Sequence, residues 1–220
     1  MIETGISFDN IHSFYDLDLI LSEVEISPAS PKTTYIDIPG GDGSLDLTEA
    51  HGEVKYADRT LKFTLTMNPA GDLSEAAWEA KKTEVSNRLN GLACKITLDK
   101  DPDYYWLGRC VVDSYKSQKR LRQFVIVATV RPYKFKQAET VATFDLTASG
   151  ETVLLQNGRK SVCPVITCTN DGTKIVFNGA TFTINAGTHK YLNIRLTEGN
   201  NQVTISGTGQ VTFTYQEGDL

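Results

Sequence analysis

Several residue types are scarce in this 220-residue chain, and each scarcity excludes something. Histidine is rare: His12, His51 and His189 stand in three separate segments, with no H-x-x-x-H or His/Cys spacing of the kind a metal site needs. Cysteine is sparse as well. Cys94, Cys110, Cys163 and Cys168 form no C-x-x-C pair and are too few for a disulfide scaffold, so they are expected as small buried hydrophobes. Cys163 and Cys168, five apart on a strand expected over 162–169, should face opposite sides. No apolar run approaches the roughly 20 residues of a membrane-spanning helix, and the longest, Phe124 to Val130, is strand-sized. The opening Met1-Ile2-Glu3-Thr4-Gly5 has neither the basic start nor the apolar core of a signal peptide, which predicts folding in the cytoplasm and no membrane contact. An excess of positive charge is also missing. Lys+Arg number 22 against 27 Asp+Glu, a net charge of −5, which argues against a broad basic face for nucleic acid.

Catalytic constellations are absent in the same way. There is no G-x-S-x-G, and no cysteine stands in a recognisable order with a general base. Asp99-Lys100-Asp101-Pro102-Asp103 begins like a calcium loop, but Tyr104 occupies the position that needs glycine and Cys110 the one that needs glutamate. A proline-containing hairpin loop accounts for it better. Pro39-Gly40-Gly41-Asp42-Gly43 lacks the Lys-Ser/Thr ending and the following helix of a phosphate cradle, and reads as a tight turn. The expectation is a protein that is not an enzyme and needs no cofactor or metal.

What is present is the composition of a folded, mainly β protein: 40% hydrophobic and 22% charged residues. It changes near residue 136. Residues 1–136 carry 17 basic and 20 acidic side chains, whereas residues 137–220 carry 5 and 7, with 15 threonines, no tryptophan and a single proline, Pro164. Two domains are expected, 1–136 and 137–220. In the first, strands are expected near Ile20 to Ile26, Thr33 to Ile38, Thr60 to Met67, Ala93 to Asp99, Trp106 to Ser114 and Leu121 to Val130. One helix, about 73–90, stands among them: Asp72 and Glu75 form a capping box, Gly91 suits the C′ position, and Trp78, Val85, Leu89 and Leu92 make one apolar stripe. In the second, Thr/Val/Ile/Phe runs alternate with glycine turns. The pair Asn178-Gly179 marks a two-residue hairpin, and about eight short strands suggest a two-sheet sandwich.

Charge is segregated along the chain. Residues 1–31 hold Glu3, Asp9, Asp16, Asp18, Glu23 and Glu25 and no Lys or Arg, while residues 114–138 hold Lys116, Lys119, Arg120, Arg122, Arg131, Lys134 and Lys136 and no acid. Solvated sheet edges that resist aggregation explain this, and so does a self-assembly interface where opposite charges meet.

Five short motifs in order carry a resemblance. Ile6-Ser7-Phe8-Asp9-Asn10 followed by Tyr15-Asp16-Leu17-Asp18-Leu19, then Ile38 to Thr48 continuing to Tyr56 and Arg59, then Asp101 to Arg109, Arg131-Pro132-Tyr133-Lys134-Phe135, and the closing Phe213 to Gly218 are similar to the distal tail protein family of siphophages and related prophage tails. Gly41 departs from it, standing where a long polar or basic side chain is expected. The resemblance implies a structural virion protein: an N-terminal β domain with a helix and an extended hairpin, closing as a homo-hexameric ring around a DNA-sized channel, and a galectin-like C-terminal β-sandwich. Such a hub joins the tail tube protein to the tail-tip spike and the receptor-binding or baseplate proteins at the virion tail tip, after assembly in the host bacterial cytoplasm. DNA passes without specific binding.

On that footing Asp16 and Asp18 are candidates to line the channel, and Lys116, Lys119, Arg120 and Arg122 to meet an acidic neighbouring subunit. A rival reading makes the C-terminal sandwich a carbohydrate-binding module for host attachment. Its aromatics are Phe144, Phe177, Phe182, Tyr191, Phe213 and Tyr215, mostly at expected core positions.

Overall fold

The computed structural model describes residues 5–50, 52–118 and 121–220. It is mainly β, with one helix, and divides into two compact units, Met1–Lys134 and Phe135–Leu220. Among the described residues no helix is long and apolar enough to cross a membrane.

The first unit comprises β1 (Ile6–Phe8), β2 (Ile11–His12), β3 (Leu19–Ile26), β4 (Tyr35–Asp37), β5 (Ser44–Asp46), β6 (Arg59–Met67), α1 (Glu75–Leu89), β7 (Ala93–Leu98), β8 (Tyr104–Gln118) and β9 (Leu121–Val130). Seven of these strands make one antiparallel sheet in the order β2-β1-β7-β8-β9-β6-β3, and β4 and β5 pair only with each other. The alternation of β6 and β9 places Leu61, Phe63, Leu65, Phe124, Ile126 and Ala128 on one face, fully buried. Trp78, Val85 and Leu89 of α1 close over that face and belong to the same core. Each such side chain withdrawn from water contributes about 1.5–3 kcal/mol. Trp78 is packed in the core, 4.8 Å from the Phe124 ring. The proline loop is the expected hairpin connection between β7 and β8.

The helix start differs from the expected capping box. Ser74 is the N-cap: its Oγ accepts the Ala77 N–H (3.2 Å), while Asp72 Oδ1 accepts the N–H of Ser74 (2.8 Å). Both residues have capping side chains, and the one adjoining the first helical residue takes the role while Asp72 closes the turn before it. Glu75 then reaches away to Arg122. The far end is as expected, with Gly91 at φ +84° after Leu89 and Asn90.

The second unit is entered through β10 (Lys134–Lys136) and holds β11 (Thr140–Asp145), β12 (Glu151–Asn157), β13 (Val165–Cys168), β14 (Thr173–Phe177), β15 (Ala180–Ile184), β16 (Gly187–Lys190), β17 (Gly199–Ser206), β18 (Gln210–Tyr215) and β19 (Gly218–Asp219). Two four-stranded antiparallel sheets, β11-β18-β13-β16 and β12-β17-β14-β15, share a core that includes Leu155, Ile166, Ile175, Ile184, Val203 and Phe213. Asn178 (φ +48°) and Gly179 (φ +78°) turn β14 into β15, the left-handed pair that a type I′ turn requires. On the outer side of the first sheet Thr143, Thr212, Thr167 and Thr188 are successive cross-strand neighbours. The hydroxyls of Thr143 and Thr212 are 2.9 Å apart, and those of Thr167 and Thr188 3.1 Å. The strand expected over 162–169 is shorter, because Pro164 supplies no N–H and the ladder begins after it. Cys163 therefore lies outside the strand and cannot alternate with Cys168; its thiol donates to the Leu192 carbonyl (3.5 Å).

Candidate assembly surfaces

Every residue from Ser30 through Asp46 is exposed. This arm leaves the sheet at the end of β3 and returns to β6. Its base is tied by the Lys32 N–H donating to the Lys55 carbonyl (2.7 Å) and the Ala57 N–H donating to that of Ser30 (2.9 Å). Beyond the base, β4 and β5 form a two-stranded ribbon turning at Pro39 to Gly43, as expected of a tight turn. Tyr35, Ile36, Ile38 and Leu45 are each half or more exposed. An isolated two-stranded ribbon is marginal in water. Polar bonds help to hold it: the Ser44 hydroxyl donates to Asp37 Oδ1 (2.7 Å), and Asp46 Oδ1 accepts the Thr48 N–H (2.9 Å). The hydroxyl and N–H of Thr48 keep the Asp46 carboxyl below its usual range. Residues 33–50 carry Asp37, Asp42, Asp46 and Glu49 and no cation. Together these make an apolar, acidic arm that is exposed from Ser30 through Asp46.

Asp16 and Asp18 lie in the turn between β2 and β3, both exposed. Asp16 Oδ2 accepts the N–H of His12 (2.6 Å), and its carbonyl accepts from Arg88 of α1 (3.2 Å). Asp18, at φ +51°, accepts the Asn68 side-chain amide on Oδ1 (2.8 Å). Both carboxylates shape this turn and remain open to solvent. The contact with Arg88 places the turn beside the helix.

The basic run is divided by the fold. Lys116 is exposed on β8, opposite Gln123 of β9. Lys119 and Arg120, like His51, lie outside the described residues. Arg122 points inward: its side chain is 7% exposed, its Nη2 lies 2.9 Å from Glu75 Oε2, and its guanidinium is 5.5 Å from the Trp78 ring centre. Its charge is thus already neutralised within the chain, which removes the physical reason for expecting it at an interface. Two more cations of this run find internal partners, Lys134 on Asp101 (2.8 Å) and Lys136 on the buried Glu217 (2.7 Å). The acidic N-terminal segment behaves similarly where Glu25 meets Lys62 at 2.8 Å. Charges that are segregated in sequence are in part paired in space.

A cavity of about 460 Å³ lies across β7, β8 and β9, lined by Lys95, Arg109 and Arg131, by Asp9 and Asp58, and by Cys94 and Gly108 among others. At Gly108 a Cβ would stand 2.3 Å from the Thr129 carbonyl oxygen, so only glycine allows the two strands this approach. Arg59, nearby at the start of β6, is buried 5.9 Å from the Trp106 ring centre, and burial lowers its pKa. Among the described residues no group of three His, Cys, Asp or Glu side chains is placed to hold a metal ion.

The strand and the tight turn of this arm were expected, and the resemblance implied an extended hairpin without placing it; its exposure was not foreseen. Its alternation is that of an ordinary half-buried strand, and the one available signal is negative: between residues 33 and 50 no cation accompanies four acids. In the second unit Phe177, Phe213 and Tyr215 are core residues, while Phe182 and Tyr191 pack together half-buried, ring centres 5.8 Å apart.

No protein-family profile matches the chain, and no curated protein matches it. Among solved structures it is similar to the SPP1 Dit (gp 19.1) protein, described as a paradigm of the hub adsorption apparatus in phages infecting Gram-positive bacteria. The TM-score is 0.70 over 97% of this chain and 98% of that one, at 14% identity. The likeness spans both units and establishes a shared fold.

Proposed function

We propose that this chain is a structural protein of a phage tail tip. Six copies close into a ring that joins the tail tube protein to the spike and receptor-binding or baseplate proteins, and DNA passes through the central channel without being bound. The observation that carries the reading is the fold shared over 97% of the chain with a protein described as part of a phage adsorption apparatus. The uncovered arm supports it: Tyr35, Ile36, Ile38 and Leu45 are apolar surface that a neighbouring copy would bury. The second unit takes the part of an outward-facing galectin-like sandwich. The protein assembles in the bacterial host cytoplasm and is carried at the virion tail tip.

Electron microscopy of the purified chain, with its mass in solution, tests the ring. Hexamers with a hole of duplex-DNA width are expected, alone or with the tail tube protein; monomers under both conditions overturn it. Lys116, with Lys119 and Arg120, pairs across the ring with an acidic neighbour, so ring formation should weaken as salt rises. Salt-insensitive assembly removes that pairing. Asp16 and Asp18 line the passage and repel DNA from its wall. Asp16→Asn with Asp18→Asn keeps an acceptor oxygen at each position while removing the charge, and an unchanged DNA ejection rate in such particles overturns this role.

A second reading has one observation in its favour, the partly buried Phe182 and Tyr191 pair with His189 6.2 Å from Tyr191, an arrangement on whose open edge a sugar ring could stack. Glycan-array binding by the full chain that is lost in Tyr191→Ala would establish carbohydrate binding, and silence on the array leaves the sandwich as a docking platform.

A further inference from the structure

Cys94 and Cys110 are unlike the other two cysteines. They stand on adjacent antiparallel strands, β7 and β8, both buried, with their sulfurs 3.7 Å apart. The register explains the approach. Cys94 is directly opposite Gly108, which has no side chain, and the Cys110 N–H donates to the Leu92 carbonyl (2.8 Å), so the two thiols are diagonal neighbours on one face of the sheet. Cys163 and Cys168 show no thiol-thiol contact of this kind among the described residues.

We propose that Cys94 and Cys110 are a cross-linking site that closes to an intrachain disulfide on reaction with an anionic low-molecular-weight disulfide such as oxidised glutathione, stapling β7 to β8. The inference is independent of the tail-tip reading. The two thiols are already differentiated. Their mutual hydrogen bond holds Cys94 below the usual thiol range, and the same bond with burial pushes Cys110 above it. Cys94 is therefore the sulfur that attacks. Its thiolate bonds to one sulfur of the small disulfide and expels the other half as a thiolate. Cys110 then loses its proton, bonds to the Cys94 sulfur and expels the second half, so two protein thiols and one small disulfide become one protein disulfide and two small thiols. Cys94 forms part of the cavity that presents Lys95, Arg109 and Arg131 against Asp9 and Asp58, an excess of one positive charge that favours an anionic reagent. The sulfurs must close from 3.7 Å to a bonding distance of about 2.0 Å, a movement that small rotations of two side chains and a slight shift of the strands supply.

The test uses the full chain in native buffer with oxidised glutathione, quenched with acid and mapped by mass spectrometry. Expected are a fall from four free thiols to two, a peptide pair joined through Cys94 and Cys110, and a melting temperature raised by roughly 5 °C or more. In Cys110→Ser the reaction should stop at a persistent glutathione adduct on Cys94. If Cys110→Ser fails to fold, the Cys163→Ser chain, altered only outside the core, tests the joining itself: its three thiols should fall to one, with the Cys94 and Cys110 peptides linked. Modification confined to Cys163, four thiols retained, or an adduct on Cys94 that persists with Cys110 present overturns the proposal.

Discussion

Two hairpins in this chain carry apolar residues on both strands and have opposite fates. The β14–β15 hairpin, turning on Asn178-Gly179, buries Ile175, Phe177 and Ile184 in the sandwich core. The β4–β5 hairpin, turning on Pro39 to Gly43, carries Tyr35, Ile36, Ile38 and Leu45 and buries none of them. Both carry apolar strand residues and turn through glycine, with two residues between β14 and β15 and six between β4 and β5. The difference lies in what stands opposite. Strand β17, which follows β15 by fourteen residues, pairs with β14 and brings Val203 and Ile205 to the core. Among the described residues, β4 and β5 pair only with each other. An apolar ribbon without a second layer is marginal in water, and the proposed ring would bury it against a neighbouring copy.

The comparison can be broken most directly in the two cores. Ile175→Ala should lower the stability of the isolated chain by about 2–5 kcal/mol, whereas Ile36→Ala should change it by less than about 0.5 kcal/mol while weakening assembly. Denaturant unfolding of both variants measures this, and equal costs would mean that the arm is packed within its own chain. The turns give a smaller effect. Gly179 and Gly40 both hold φ +78°. Alanine strains either turn by about 1–2 kcal/mol, but only Gly179→Ala should move the global unfolding midpoint, because the arm can loosen without unfolding either core. A shift of the same size for Gly40→Ala would show that the arm unfolds cooperatively with its domain.

Acid gives the smallest difference. The Asp46 carboxyl is lowered by the hydroxyl and N–H of Thr48. A group lowered in the folded state contributes stability above its ordinary pKa and loses it as pH falls through the lowered value. Acidification below the usual carboxylate range should therefore loosen the arm. Residues 173–184 contain no carboxylate and no histidine, so the second hairpin should not respond. The backbone amide resonances of Thr48 and Thr181 followed from neutral to acid pH measure both, and Thr48→Val, which removes the hydroxyl but keeps the N–H bond, should reduce the response in the arm.

The elements that were readable in advance are those set by neighbours in sequence. Gly91 after an apolar stripe ended α1, Asn178-Gly179 placed a hairpin, and Leu121 to Val130 is a strand with the expected ends. The capping box was misread by two residues because Asp72 and Ser74 have equivalent chemistry, and only the backbone at Ser74 decided between them. The basic run was misread at Arg122 for a different reason. Its partner Glu75 is 47 residues away, and nothing local distinguishes a guanidinium that meets a helix from one that meets water.

By itself, then, the sequence determined what depends on a few adjoining residues: a β composition, the change of character near residue 136, the turns and the helix. Tertiary structure alone decided which apolar residues have a second layer, which charges are already paired, and that Cys94 and Cys110 touch across two strands. Burial and pairing depend on distant segments arriving opposite one another, and a periodic pattern of side chains states only that a face exists, not what will cover it.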